Sequence, residues 1–172
     1  MRWKRQLGRR DMQCKTRTLA PGDRPWVGEL VSEHFGSARI VSRGVLHDAL
    51  SLSGLVAEAD GVPVGLLLYR IVGRQCEVVV LIAARPRQGI GRLLLDAVQP
   101  IARSCGCTRM WLITTNNNSG AIAFYRAVGW REVAIHRGAL REARRLKPEI
   151  PLFDERGTPI EDEIEYEFAL GT

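Results

Sequence analysis

Hydrophobic and polar positions along the chain follow two periods, and the places where the period changes mark its elements. Leu93, Leu94, Ala97, Val98, Ile101, Ala102 and Cys105 recur at helical spacing from Ile90, giving one apolar face, while Arg92, Asp96, Gln99 and Arg103 take the other. Pro100 falls on that polar face, where water can satisfy the carbonyl of Asp96, so the spacing predicts a kinked helix that is not broken. Near the C-terminus the period drops to two: Ile164, Tyr166, Phe168 and Leu170 share one face of a strand, and Glu163, Glu165 and Glu167 share the other.

The remaining elements are shorter. Cys14 to Leu19 reads as a strand, and "PGDRPWVGELVSEHF" predicts a helix with Asp23 as its N-cap and an apolar pattern through Trp26, Leu30 and Val31. "GLVAEADGVPVGLLLYRIVG" predicts a hairpin turning at Asp60-Gly61, and "QCEVVVLIAA" predicts a strand buried on both faces. "TRMWLITT" is a strand, "SGAIAFYRAV" a short helix closed by a left-handed Gly129, and "WREVAIHR" a further strand. Two stretches lack a clear period. "SARIVSRGVLHDALSLS" is expected to be a short helix and loop, and residues 138–160, with Pro148, Pro151, Gly157 and Pro159, a long connection of the kind that often carries function.

Composition narrows the class. At 172 residues, 45% hydrophobic and 26% charged, one globular domain suffices. No apolar run approaches the ~20 residues that span a bilayer, and no apolar stretch follows the basic start, so a cytoplasmic location without membrane contact is expected. The formal charge of +6 is concentrated at the start: Arg2, Lys4, Arg5, Arg9 and Arg10 against Asp11 leave only +2 for the rest. Residues 1–13 are therefore expected to be a disordered basic extension of a domain spanning 14–172, and nucleic acid is not an expected partner. Cys14, Cys76, Cys105 and Cys107 lack the paired spacing of a zinc site, so reduced thiols and no metal are expected.

The stretch "RPRQGIGRLLLDAV" joins the apolar strand to the long helix through two glycines one residue apart. Amides of Gln88, Gly89, Ile90, Gly91 and Arg92 can converge at the helix N-terminus, where free N–H donors and the positive pole favour a phosphate. A dinucleotide fingerprint would need a glycine where Leu94 stands, and a P-loop would need Gly-Lys-Ser or Gly-Lys-Thr where Arg92 and Leu93 follow Gly91. Both nucleotide readings fail.

Strand, glycine turn, long helix, strand and a second helix carrying "NNNSGAIAFYRAVGW" remain. Over residues 14–170 the chain resembles the GNAT superfamily of acetyl-CoA-dependent N-acetyltransferases. The resemblance rests on "RQGIGRLLL", similar to the family's pyrophosphate loop, and on the spacing of Asn118, Ala121, Tyr125, Gly129 and Trp130; Pro86 stands where family loops place Gln or Arg. It implies an α/β (α+β) fold with a mixed, mostly antiparallel twisted sheet of six to seven strands and about four helices, opened where Glu77–Ala83 and Met110–Thr115 part. It also implies acetyl transfer from acetyl-CoA to a primary amine, a small molecule in preference to a protein, with a catalytically inactive acyl-CoA-binding module as the alternative and a second copy of the chain as a candidate partner.

Site residues follow from the same resemblance. Leu81, Ile82 and Ala83 would line the pantetheine arm and Arg87, Gln88, Gly89, Ile90, Gly91 and Arg92 the diphosphate; Asn118 and Ala121 would also bind the cofactor, with the thioester beside Tyr125. Tyr125 would stabilise the departing thiolate, and Glu77 would act as general base. Glu163, Glu165 and Glu167 could attract a cationic amine, and Arg43, His47 and Asp48 could face it across the acceptor cleft; a solvated acidic face is the plainer expectation. His34 and His136 are assigned no partner.

Overall fold

A computed structural model describes residues 14–85 and 87–171; the basic extension and Pro86 lie outside the described residues. In chain order the elements are β1 (Cys14–Thr18), α1 (Arg24–Phe35), β2 (Arg39–Ser42), β3 (Val45–Asp48), β4 (Ser53–Ala59), β5 (Val62–Val72) and β6 (Gln75–Ala83), followed by α2 (Ile90–Ser104), β7 (Arg109–Thr115), α3 (Ser119–Ala127), β8 (Arg131–His136), α4 (Ala139–Leu146) and β9 (Glu163–Ala169). Seven strands form one sheet in the order β1-β4-β5-β6-β7-β9-β8, and β2 pairs with β3 alone. All neighbours in the sheet are antiparallel except β6 and β7.

Strand alternation sends side chains to two cores. Leu55, Leu67, Val78, Met110, Leu112 and Tyr166 meet Ile90, Leu94, Leu95 and Val98 of α2 on one face. Leu66, Leu68, Val80 and Ile82 meet Val27, Leu30 and Val31 of α1 on the other. The predicted apolar face of α2 forms, with Leu95 added to it; Cys105, past the end of the helix, is exposed. Pro100 is exposed and α2 runs through it. Asp60 and Gly61 both adopt positive φ, the hairpin turn that matches strand twist.

Two expectations are overturned. The stretch expected to be helix and loop is the β2–β3 hairpin with a 3₁₀ turn at Ala49–Ser51, because Arg43 and Gly44 take positive φ and reverse the chain, and Ile40 packs beneath α1. The long connection contains α4, whose Leu140 and Ala143 pack on Ile160. Its apolar face is two residues wide, too little for sequence periodicity to register, and Arg144 gathers the loop beyond it by donating to the carbonyls of Ile150, Pro151 and Ile160. Asp23 precedes α1 but does not cap it with its side chain, which instead accepts from Arg17, from the Ala20 amide and from Trp26 Nε1.

Candidate active site

The site begins where two strands separate. β6 and β7 pair only from Gln75–Arg109 to Glu77–Trp111; beyond that β7 continues with β9 and β6 with β5, leaving the β6 edge facing β7 without a ladder. A bulge accompanies the parting, since Leu68 opposes Val80 and Tyr69 opposes Val78, with Val79 as the extra residue. The opening becomes a cleft of about 520 Å³, with Val78, Val79 and Leu81 on one wall and Ile113, Thr114 and Thr115 on the other.

At the far end of β6 the glycine loop turns into α2. Arg87 and Gly89 both have positive φ, and the first backbone bond of the helix runs from the Leu93 amide to the Gly89 carbonyl. The amides of Ile90, Gly91 and Arg92 precede that bond, and the N-cap Gly89 has no side chain to cap them. Gly91 is required for a reason sequence did not suggest: a Cβ there would lie 2.9 Å from Cζ of Phe124, so the glycine lets α3 pack against the start of α2. Ile90 and Ile82 are core residues by their side chains and can offer only backbone to a ligand.

α3 supplies the third part. Asn118 is its N-cap, with Oδ1 accepting from the Ala121 amide, so its carbonyl oxygen serves the helix. Asn118, Ala121 and Tyr125 line the cleft with Leu81, whereas the loop residues Arg87, Gln88, Gly89, Ile90, Gly91 and Arg92 and the strand residues Ile82 and Ala83 do not. Tyr125 is 8% exposed, ringed by Phe124, Trp130 and Tyr166, and its hydroxyl has no hydrogen-bond partner among the described residues. Burial lifts that phenol well above its ordinary pKa.

Beside the apolar core under α1, the sheet face opposite α2 and α3 also carries buried charge. Glu77, 2% exposed, is held by Arg70 at 2.6 Å through Oε2; among the described residues its Oε1 has no hydrogen-bond partner and lies 3.9 Å from His47 Nε2, which has none either. Burial lowers the His47 pKa, so its imidazole is neutral at pH 7. Glu77 does not itself line the cleft. The acidic row on β9 is not a solvated face. Glu163 and Glu165 are buried, and Arg43, Arg109 and His136 converge on Glu165 while Arg109 and Arg131 hold Glu167. His136 thus has a partner, and His34 Nδ1 lies 2.9 Å from the Leu30 carbonyl.

Sequence reasoning did not single out Ser42 or Lys147, two polar residues of the cleft. Ser42, on β2, became visible only with the hairpin, for which Arg43-Gly44 was the available signal. Lys147 donates to the carbonyls of Phe35 and Arg39, both at 2.6 Å, and burial lowers its pKa. Nothing local in the sequence marked it.

A sheet split between one parallel pair, next to an uncapped helix start, is the arrangement the two motifs implied. Residues 22–130 match the Acetyltransferase (GNAT) family model. The chain belongs to the GNAT acetyltransferase family. This GNAT protein is 37% identical over 137 residues to YdhI of Bacillus subtilis (strain 168), covering 79% of this chain and 86% of that one. It shares its fold with the IAA acetyltransferase from Bacillus cereus ATCC 14579 (TM-score 0.68, 16% identity, 91% of this chain and 99% of the other). The same holds for yncA from Salmonella typhimurium, solved with its cofactor acetyl-CoA (TM-score 0.66, 18% identity, 91% and 94% covered). The GNAT chain is an acyltransferase. No helix among its described residues is long and apolar enough to cross a membrane.

Proposed function

We propose that this GNAT enzyme transfers the acetyl group of acetyl-CoA to a primary amine of a small molecule. The observation that carries the reading is the cleft between β6 and β7, which joins an unpaired strand edge to the unpartnered hydroxyl of Tyr125. Three features fit the coenzyme: the uncapped amides at the start of α2 for a diphosphate, the β6 edge up to Ala83 for an amide-bearing arm, and a buried phenol at the inner end.

Bound acetyl-CoA supplies an activated thioester; the protein's task is to orient it and manage charge and protons. Amides of the β6 edge near Leu81–Ala83 are the donors available to polarise a carbonyl. An ordinary phenol giving its proton to a thiolate works uphill by about 2 kcal/mol, and burial of Tyr125 adds to that, so its hydroxyl stabilises the thiolate by hydrogen bonding. An amine of ordinary pKa must also be deprotonated, a handicap of ~4.6 kcal/mol at pH 7. Glu77, one residue before the cleft wall at Val78, is the base assigned to that proton through its Oε1, beside His47 Nε2 at 3.9 Å.

The test is a calorimetric titration with acetyl-CoA combined with thiol release over a panel of amines. Wild-type protein binds and turns over. Gly89→Ala, forced to hold φ near +74° with a Cβ, loses roughly tenfold in coenzyme affinity. No affinity for the coenzyme refutes the reading, and binding without turnover across the panel replaces it with a binding module.

A further inference from the structure

The three carboxylates of β9 are treated differently by their surroundings. Glu165 and Glu167 are neutralised by Arg43, Arg109, Arg131 and His136, but Glu163 forms no ion pair among the described residues. It is 2% exposed, accepts one long bond of 3.3 Å from the Arg43 amide, and lines the cleft that holds Tyr125. Next to that amide, Ser42 lines the same cleft at 5% exposure, and its Oγ is buried with no hydrogen-bond partner among the described residues. Lys147 also reaches the cleft, but two carbonyls occupy its ammonium.

A buried anion beside an orphaned hydroxyl is costly unless something completes both. An ammonium group does: it carries positive charge, three donors and no acceptor. An incoming carboxylate would find the opposite, since the guanidinium groups on this face already hold Glu77, Glu165 and Glu167. The reacting amine must be neutral at transfer, so a charge that stays on Glu163 must come from a second amino group.

Resting on the acetyltransferase reading above, we propose that Glu163 and Ser42 form an ammonium subsite, and that the acceptor is a small molecule with at least two amino groups and no carboxylate, of polyamine or aminosugar type. Charges acting on Glu163 are those of Arg43, His136 and Glu77; burial outweighs the two cations and raises its pKa. A raised folded-state pKa means a cost to stability that grows as the pH rises past the unfolded-state value and is complete above the folded-state one. The cost is relieved when a cation binds.

Steady-state thiol release with spermidine, kanamycin, benzylamine and lysine tests this. Spermidine or kanamycin should show a KM at least about tenfold below benzylamine and lysine, the value of one charge-assisted hydrogen bond. Glu163→Gln should erase that preference, raising KM for the polyamine about 10- to 100-fold with a smaller change in kcat, and should raise the Tm of the free protein at pH 7.5. Ser42→Ala, a milder change, should raise the same KM several-fold. Preference for lysine, an unchanged KM ratio in both variants, or a lower Tm for Glu163→Gln with unaltered KM overturns the subsite. The acetyl-CoA titration of wild-type protein separates this from failure of the enzymatic reading, because that reading stands if the coenzyme binds and any amine is acetylated.

Discussion

Replacing Tyr125 by phenylalanine removes one oxygen and separates chemistry from packing. The ring stays among Phe124, Trp130 and Tyr166, at centroid distances of 5.3, 6.0 and 5.7 Å, and the lost hydroxyl had no partner among the described residues. Folding stability should therefore change by less than about 0.5 kcal/mol, in contrast to about 3–5 kcal/mol when a buried aromatic side chain is truncated to alanine. The chemical step is different, because the departing thiolate would lose the hydrogen bond from the phenol. A hydrogen bond to a charged group contributes about 1.5–3 kcal/mol, so kcat should fall about 10- to 150-fold. Thiol release at saturating acetyl-CoA and amine reads kcat, calorimetry reads coenzyme affinity, and urea denaturation reads stability. A kcat within twofold of wild type, or a variant that loses activity only in proportion to lost folding, refutes the role assigned to the phenol. Raising the pH should not rescue the variant, since no titratable group replaces the one removed.

The other predictions concern a proton and a scaffold. Glu77→Gln should lower kcat strongly at neutral pH, by an amount that shrinks as the pH rises toward the pKa of the acceptor amine and more of it is already neutral. A pH-independent deficit would make Glu77 an anchor for Arg70 without a part in proton transfer. Lys147→Met keeps the aliphatic stem but removes both bonds that tie the end of α4 to the carbonyls of Phe35 and Arg39, and should cost about 1–3 kcal/mol in urea denaturation. Unaltered stability would mean that the desolvation reflected in its lowered pKa cancels those two bonds.

Much of the scaffold was readable before any coordinates. The face of α2, the Asp60-Gly61 turn, the strand ending at Ala83 and the cap at Gly129 each depend on residues within about one or two turns of chain, and local periodicity reports such elements faithfully. The β2–β3 hairpin and α4 were not readable in the same way. Both are short, and what holds them is distant: Ile40 is covered by α1, and Leu140 and Ala143 by Ile160. For such segments tertiary burial outweighs intrinsic preference.

Site residues divide along the same line. The glycine turn and the spacing from Asn118 to Trp130 identified the family because one loop and one short helix carry them. Which carboxylate of β9 is left to meet a ligand could not be read there, since Glu163, Glu165 and Glu167 are equivalent by alternation. Only the fold distinguishes them, by bringing Arg43 across 122 positions and Arg109 across 56 to Glu165, and by placing Glu163 on the Arg43 amide in the cleft that Ser42 also lines. The chain alone determined its local elements, its family and the coenzyme chemistry expected of that family, because neighbouring residues encode these. The tertiary structure decided the charge state and partners of the cleft, because the energy of a buried charge is set by whatever folding places around it.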